Sequence, residues 1–401
     1  MKILSLFLAL SLMMFVQRDN VQAAGDNQPE IKSESAVMID AETGNILYQK
    51  NSTEQMYPAS ITKIVTGILA VESGKLEESV IVSSEAAKAD GTRVYLLEGE
   101  QVPLKKLVQG LMINSGNDAA IAIAEYLAGD VASFADQMNE LAAKVGADQT
   151  NFVNPNGLFH VEHFTTAEDM AKITQYAMKN EEFREIVSTK ELPWVGEGWD
   201  TTLRNHHQLL WDYPGTTGVK NGYVDESKHT LVTTVSRDGL DVIIVTLKAP
   251  SSRAAYWDTM TIGDYGFSNF ERQTLSAGTS IQADDGKTYP LEKDLSVTLP
   301  KGEQAIQQVT SDGELQVMNA DGNVLLTHPL FKKESKKTVT AETEKPAVKE
   351  TDSSFLHTAV KGSIFLYSGL LLMLGFLVIL RVRSQKQKHR KMRQVARSYV
   401  K

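Results

Sequence analysis

The stretch that most constrains this chain is Gly362 to Leu380, an apolar run without a single charge. A helix of about 20 such residues crosses a bilayer. Behind it, Arg381 to Lys401 carries nine Lys or Arg and no acid, a pattern that stays on the cytoplasmic side. A transmembrane helix is therefore expected at residues 361–380, with a basic cytoplasmic tail at 381–401. At the other end, Lys2 precedes the uncharged stretch Ile3 to Val16, and Val21-Gln22-Ala23 has the small-residue pattern of a cleavage site. Residues 1–23 thus read as a signal peptide. Arg18 and Asp19 cut that apolar run too short to span. Both ends agree on one topology, with the body outside and the tail inside.

Charge and composition narrow the body further. The tail contributes +9 and residues 1–23 contribute +1, so the net −9 of the chain leaves −19 for residues 24–380. So acidic an exterior excludes nucleic acid as a partner. There are no cysteines, which excludes disulfide staples, thiolate metal sites and a cysteine nucleophile. Residues 332–360 are rich in Lys, Glu, Thr and Ser and read as a flexible linker.

Two folded parts are expected between the ends. Over residues 31–272, strand and helix patterns mix. Ala36–Asp40 and Asn45–Gln49 read as strands around the turn Ala41-Glu42-Thr43-Gly44. Leu104, Leu107, Val108, Leu111 and Met112 follow helical spacing, as do Ala120, Ile123, Ala124 and Leu127. Leu231–Val235 and Asp241–Leu247 read as a hairpin around Arg237-Asp238-Gly239. Over residues 277–331, short strand-like runs alternate with Asp-Gly pairs at 285–286, 312–313 and 321–322, which predicts a small all-β domain. The mixture favours an α+β layout over regular βαβ units.

Three short elements carry candidate chemistry. In Pro58-Ala59-Ser60-Ile61-Thr62-Lys63, Pro58 can precede a helix whose apolar face is Ile61, Val65, Ile68 and Leu69. Ser60 and Lys63 then share one side. A neutral lysine can take a serine's proton, and burial or a second cation can keep a lysine neutral. The same spacing also fits an N-cap serine, and Ser398-Tyr399-Val400-Lys401 repeats it in the basic tail. Ser115-Gly116-Asn117 sits between two helical stretches. Its hydroxyl could relay a proton and its amide could hold a substrate carbonyl, or the segment could be an ordinary turn. Lys220-Asn221-Gly222, followed by Tyr223, has strand character. Lys220 and Gly222 would share a face, offering charge and a close backbone approach, unless Lys220 is merely a turn lysine.

Together and in this order, the three elements resemble the active-site motifs of the penicillin-recognising serine enzymes. The similarity extends to Met38-Ile39-Asp40-Ala41-Glu42-Thr43-Gly44, Phe152-Val153-Asn154-Pro155-Asn156-Gly157-Leu158, Thr165-Thr166-Ala167-Glu168-Asp169-Met170 and Asp264-Tyr265-Gly266-Phe267. In these segments the chain resembles the low-molecular-mass penicillin-binding proteins that are serine D-alanyl-D-alanine carboxypeptidases. The resemblance covers about residues 35–270 and then the small β domain. It implies a transpeptidase/β-lactamase-like domain, substrates that are peptidoglycan stem peptides ending in D-Ala-D-Ala, and covalent inhibition by β-lactams. It also implies roles: Ser60 as nucleophile, Lys63 as base, and Ser115 and Asn117 as proton relay and substrate holder. Lys220 is the third-motif lysine. By the same resemblance, the N–H groups of Ser60 and Tyr223 match an oxyanion hole, and Arg253 matches the arginine that meets the substrate carboxylate. Asn221 departs from the threonine usual at its position, beside Gly222, which puts affinity in question. The expected span departs from the amphipathic anchor of many relatives.

Rival readings remain at this level. A β-lactamase of related fold needs a further glutamate for deacylation, for which no counterpart is evident. His160 and His163, three apart, could suggest a zinc peptidase, although His163 falls within the resemblance. A non-catalytic wall-binding protein would keep the cleft and lose the chemistry. The reading adopted expects no metal and no cofactor.

Overall fold

A computed structural model describes residues 28–283 and 286–330. The expected signal peptide, linker, transmembrane helix and tail lie outside the described residues. Among the described residues, no helix is long and apolar enough to cross a membrane.

The first regular elements among the described residues are a hairpin, β1 (Ser35–Asp40) and β2 (Ile46–Lys50). The Asp40 carboxylate closes its turn by accepting from the N–H groups of Glu42 and Thr43, an arrangement that suits aspartate at a turn. A 3₁₀ turn, Ala59–Thr62, runs into α1 (Lys63–Glu72), a helix buried on nearly every side. Next come β3 (Ser79–Ile81), α2 (Ser84–Ala87) and β4 (Gln101–Pro103), then α3 (Leu104–Ile113) and α4 (Asn117–Ala128) at the two expected helical stretches. They are followed by α5 (Val131–Lys144), α6 (Ala167–Ala177), α7 (Glu181–Ser188), the hairpin β5 (Glu191–Val195) and β6 (Asp200–Arg204), and α8 (Leu209–Asp212). The domain finishes with β7 (Thr216–Val224), β8 (Lys228–Arg237), β9 (Leu240–Ala249) and α9 (Ser252–Asn269).

Five strands form one antiparallel sheet in the order β2-β1-β9-β8-β7. The β8–β9 turn has two residues, Asp238 at φ 52° and Gly239 at φ 79°. That is the primed turn whose twist matches antiparallel strands. Strand β9 shows why helices cover both faces. Ile243, Val245 and Leu247 join the core beneath α1, α3 and α6, whereas Val242, Ile244 and Ala249 join a second core under α9. Alternate side chains point to opposite faces, so a strand with apolar residues in both alternating sets needs a layer on each side. The layout is α+β, as expected.

The small module is all-β. Its first strand, β10 (Phe270–Leu275), follows α9 directly and pairs with β13 (Leu295–Pro300). The pair β11 (Ser280–Gln282) and β12 (Thr288–Pro290) and the three-stranded sheet β14 (Ile306–Val309), β15 (Glu314–Met318) and β16 (Val324–Pro329) complete it. It has its own core of Ile281, Leu291, Leu295, Val297, Leu299, Leu315 and Val317. One buried carboxylate fastens it to the larger domain. Asp40 takes the Arg272 guanidinium at 3.1 Å and also accepts from the Thr298 hydroxyl.

Candidate active site

Ser60 sits inside the 3₁₀ turn at the head of α1, in front of the first full helical turn. The segment is held in an unusual shape. Ala59 has φ 52°, a left-handed conformation that costs free energy for a residue with a side chain. The Pro58 carbonyl accepts from Thr230 of β8, and the Pro155 carbonyl accepts from Thr66 of α1. Gly157, at φ 85°, packs so closely that a Cβ there would lie 1.9 Å from the Ala59 carbonyl oxygen.

Lys63 is fully buried, and its Nζ has three partners. Ser60 Oγ lies at 3.1 Å, Asn117 Oδ1 at 2.7 Å and the Asn156 carbonyl oxygen at 2.7 Å. An ammonium offers three donors, so each position around the nitrogen is filled. Burial, and then the charge of Lys220, pushes the Lys63 pKa well below the usual lysine value, with Asp118 opposing.

Asn117 opens α4, and Ser115 stands in the connection from α3 with φ 63°. The Asn117 Nδ2 donates to the Asp90 carbonyl and its backbone N–H to the Thr92 carbonyl, which fixes its Oδ1 toward Lys63. Ser115 is buried, and its hydroxyl makes no hydrogen bond among the described residues. Asp118 is buried as well. Its carboxylate receives the N–H groups of Val94, Leu96 and Ala119 and so ties the 90–97 loop to α4. Burial raises its pKa against those hydrogen bonds.

Lys220 lies in β7, the edge strand of the sheet, and is 1% exposed. Burial lowers its pKa to about 7. Its Nζ donates to the Asn221 carbonyl at 2.9 Å and lies 3.4 Å from Asn221 Oδ1. With its oxygen toward the lysine, the Asn221 amide keeps its NH₂ to donate. Gly222 runs against the nucleophile turn: a Cβ there would lie 2.6 Å from the Ser60 backbone nitrogen. Tyr223 is half exposed, with its ring 4.6 Å from that of His229 and its hydroxyl on Asp225.

The structure therefore brings Ser60, Lys63, Asn117, Lys220 and Gly222 to one place, with Ser115, Asn221 and Tyr223 as chain neighbours. Arg253 is exposed on the first turn of α9 and touches none of the reacting groups. Register puts it at the right end of the sheet, because Tyr223 pairs with His229 and His229 with Ala249, just ahead of α9.

Four residues escaped the reading of the sequence as site residues. Asn156 acts through its carbonyl, and Asp118 anchors the loop. His206 and His207 both feel the charge of Lys220. Desolvation by surrounding protein atoms, and then the charges of Lys220 and Lys63, lowers the pKa of His206, although the residue is exposed at the surface. His207 is buried, with Nε2 2.9 Å from the Thr233 hydroxyl. The adjacent pair His206-His207 was the only available signal. His163 has a structural position instead. Its Nδ1 accepts from the Val153 N–H, so Nε2 carries the proton to Thr62 Oγ1 at 2.8 Å. Both ring nitrogens are thus engaged within the protein, and burial lowers its pKa to about 4.

Comparison with known proteins gives the family. The family model described as D-alanyl-D-alanine carboxypeptidase matches residues 22–251. The D-alanyl-D-alanine carboxypeptidase DacF of Bacillus subtilis is 31% identical over 366 residues, covering 83% of this chain and 94% of DacF. Among solved structures, penicillin binding protein 5 of Haemophilus influenzae superposes with a TM-score of 0.67 at 26% identity, covering 76% of this chain and 97% of that one. A variant of the Streptomyces K15 DD-transpeptidase gives 0.57 at 31%, covering 60% and 100%. The chain belongs to the D-alanyl-D-alanine carboxypeptidase family and is a serine-type carboxypeptidase with a penicillin-binding-protein fold.

Proposed function

We propose that Ser60 attacks the carbonyl of the penultimate D-alanine of a peptidoglycan stem peptide, releasing the terminal D-alanine and leaving an acyl-enzyme that water hydrolyses. The observation that carries this is the filled coordination of Lys63. In its neutral form Lys63 has two N–H donors, matched by Asn117 Oδ1 and the Asn156 carbonyl. Its lone pair is then left for the Ser60 hydroxyl at 3.1 Å. The proton of Ser60 passes to Lys63 as Oγ bonds to the carbonyl carbon, and it leaves on the nitrogen of the departing D-alanine, with Ser115 as relay. The N–H groups of Ser60 and Tyr223 serve as the oxyanion hole. Gly222 supports this reading, because its bare Cα lets β7 lie against the Ser60 amide. Lys220, the Asn221 amide and Arg253 hold the terminal carboxylate. β-Lactams acylate the same serine.

The decisive experiment pairs two assays on the protein and on Ser60→Ala. D-Alanine release from a pentapeptide ending in D-Ala-D-Ala and labelling by a tagged penicillin are both expected to vanish in the variant. Release at the original rate from Ser60→Ala would sink the mechanism, and rapid turnover of the penicillin would point to a β-lactamase. The proposed setting is the outer face of a cell membrane. The supports are the apolar run Gly362–Leu380, the basic tail after it and the signal-like first 23 residues.

A further inference from the structure

An open cleft of about 810 Å³ lies beside the catalytic centre, lined among others by Asn114, Thr202, Arg204, His206, Gln208 and Trp211. It is of ligand-binding size, and it adjoins the reacting groups. Asn114 directly precedes Ser115, the backbone N–H of His206 donates to the Ile113 carbonyl at 3.3 Å, and the His206 ring feels the charges of Lys220 and Lys63.

The lining is furnished for a polar ligand. The Thr202 hydroxyl, the Gln208 amide and the Trp211 indole N–H make no hydrogen bond to protein groups among the described residues. Arg204 lies over the Trp211 ring at 4.7 Å as a cation–aromatic pair; Asp212 also lines the cleft, but Arg204 makes no ion pair among the described residues. Trp199, one residue ahead of β6, stacks edge-on against Tyr95 at 5.1 Å. Tyr95 is half exposed at φ 59°, a costly conformation for a bulky residue. It persists because buried Asp118 grips the N–H groups of Val94 and Leu96 on either side. The strand that lines the cleft therefore follows directly on an aromatic pair in which Tyr95 is exposed and Trp199 is partly buried against the core, and the loop bearing Tyr95 is anchored in the catalytic helix α4.

The peptide already has a track elsewhere. β7 ends the sheet, and the unpaired edge of a terminal strand suits an extended peptide. Side-chain hydroxyl, amide, indole and guanidinium groups suit a ligand rich in hydroxyls. We propose that this cleft is a carbohydrate subsite, binding a sugar of the glycan strand from which the stem peptide hangs. The inference rests on the stem-peptide reading above.

The test compares three substrates on the full chain in detergent: a bare D-Ala-D-Ala pentapeptide, the same peptide carrying its disaccharide, and a peptide lengthened by further amino acids without sugar. The disaccharide is expected to raise kcat/KM about tenfold, the scale of two or three hydrogen bonds. The double change Gln208→Ala, Trp211→Phe is expected to remove that gain while leaving the bare pentapeptide rate and penicillin acylation unchanged. Equal kcat/KM with and without sugar in the unaltered protein overturns the proposal, as does a gain that survives the double change. A loss confined to the lengthened peptide makes the cleft a peptide subsite and overturns it too. Failure to release D-alanine from any substrate would strike the stem-peptide reading instead. Titration of the free disaccharide into Ser60→Ala, followed by NMR, then decides the subsite: binding lost in the double variant upholds it, and no binding overturns it.

Discussion

Lys63 can serve as a base only if it rests without its proton, and its surroundings fix how that state is reached. Burial removes the water that would stabilise the ammonium, and Lys220 adds a like charge nearby. Arginine would keep the positive charge but cannot release a proton at ordinary pH. Lys63→Arg is therefore expected to slow penicillin acylation by a factor on the order of a hundred or more, measured by stopped-flow labelling; an unchanged rate would show that Lys63 acts only as a charge. The two lysines titrate in opposite senses for catalysis. Lys63 must be neutral, so kcat/KM rises as pH climbs through its depressed value. Lys220 must be charged to hold a carboxylate, and its charge is lost as pH rises through about 7. The profile of kcat/KM is expected to be bell-shaped, with the alkaline limb disappearing in Lys220→Arg. The apparent values belong to the pair. Ser60, Lys63, Asn117 and Lys220 were legible only as a set: each motif by itself fits an ordinary cap or turn, and their joint order carries the family resemblance that implies their roles. Asn156 was not legible, since it acts through a carbonyl that every residue has, and it meets Lys63 across 93 residues of sequence.

The nucleophile is presented by a crossing of elements. Three of them converge on the Ala59–Thr62 turn: β7 through Gly222, β8 through Thr230, and the 153–158 loop through Gly157. At Gly157 a side chain meets both a positive φ and the Ala59 carbonyl, so Gly157→Ala must push the turn away. A loss of about 3 kcal/mol is expected, visible as a fall of several degrees in melting temperature, together with slower acylation. Gly222→Ala has ordinary backbone angles but sets its Cβ against the Ser60 nitrogen. Its main effect is expected on acylation, with a smaller shift in melting temperature. The reverse ranking would show that β7 does not position Ser60. Elements with a strong period were legible in the sequence: α3, α4 and the β8–β9 hairpin stand where their spacing puts them. The 3₁₀ turn was not, because no local propensity asks for Ala59 at φ 52°. Long-range contacts impose it.

At the scale of the whole molecule, the two folded parts meet at a charge, and the expected membrane anchor lies beyond them. Asp40 is fully buried, and Arg272 supplies its counter-charge from β10. Removing one partner of a buried pair strands the other. Arg272→Ala is therefore expected to cost about 3 kcal/mol in urea unfolding while penicillin labelling of the remaining folded protein stays intact. The anchor is a separate matter, proposed from sequence alone. Two pictures compete for Gly362–Leu380: a span, or an amphipathic helix lying in the interface. The second requires a polar face along the helix, and the run offers only Ser363, Tyr367 and Ser368, all near one end. A span satisfies its own backbone hydrogen bonds inside the bilayer, and the nine positive charges that follow resist crossing to the outside. Detergent is therefore expected to release the protein from membranes, and neither high salt nor alkaline carbonate is. Protease added outside intact wall-less cells is expected to cut within 332–360, free the catalytic body with its penicillin label, and leave a small protected fragment bearing the tail. Release by salt, or digestion of the tail from outside, would overturn the span and leave the chemistry of Ser60 untouched.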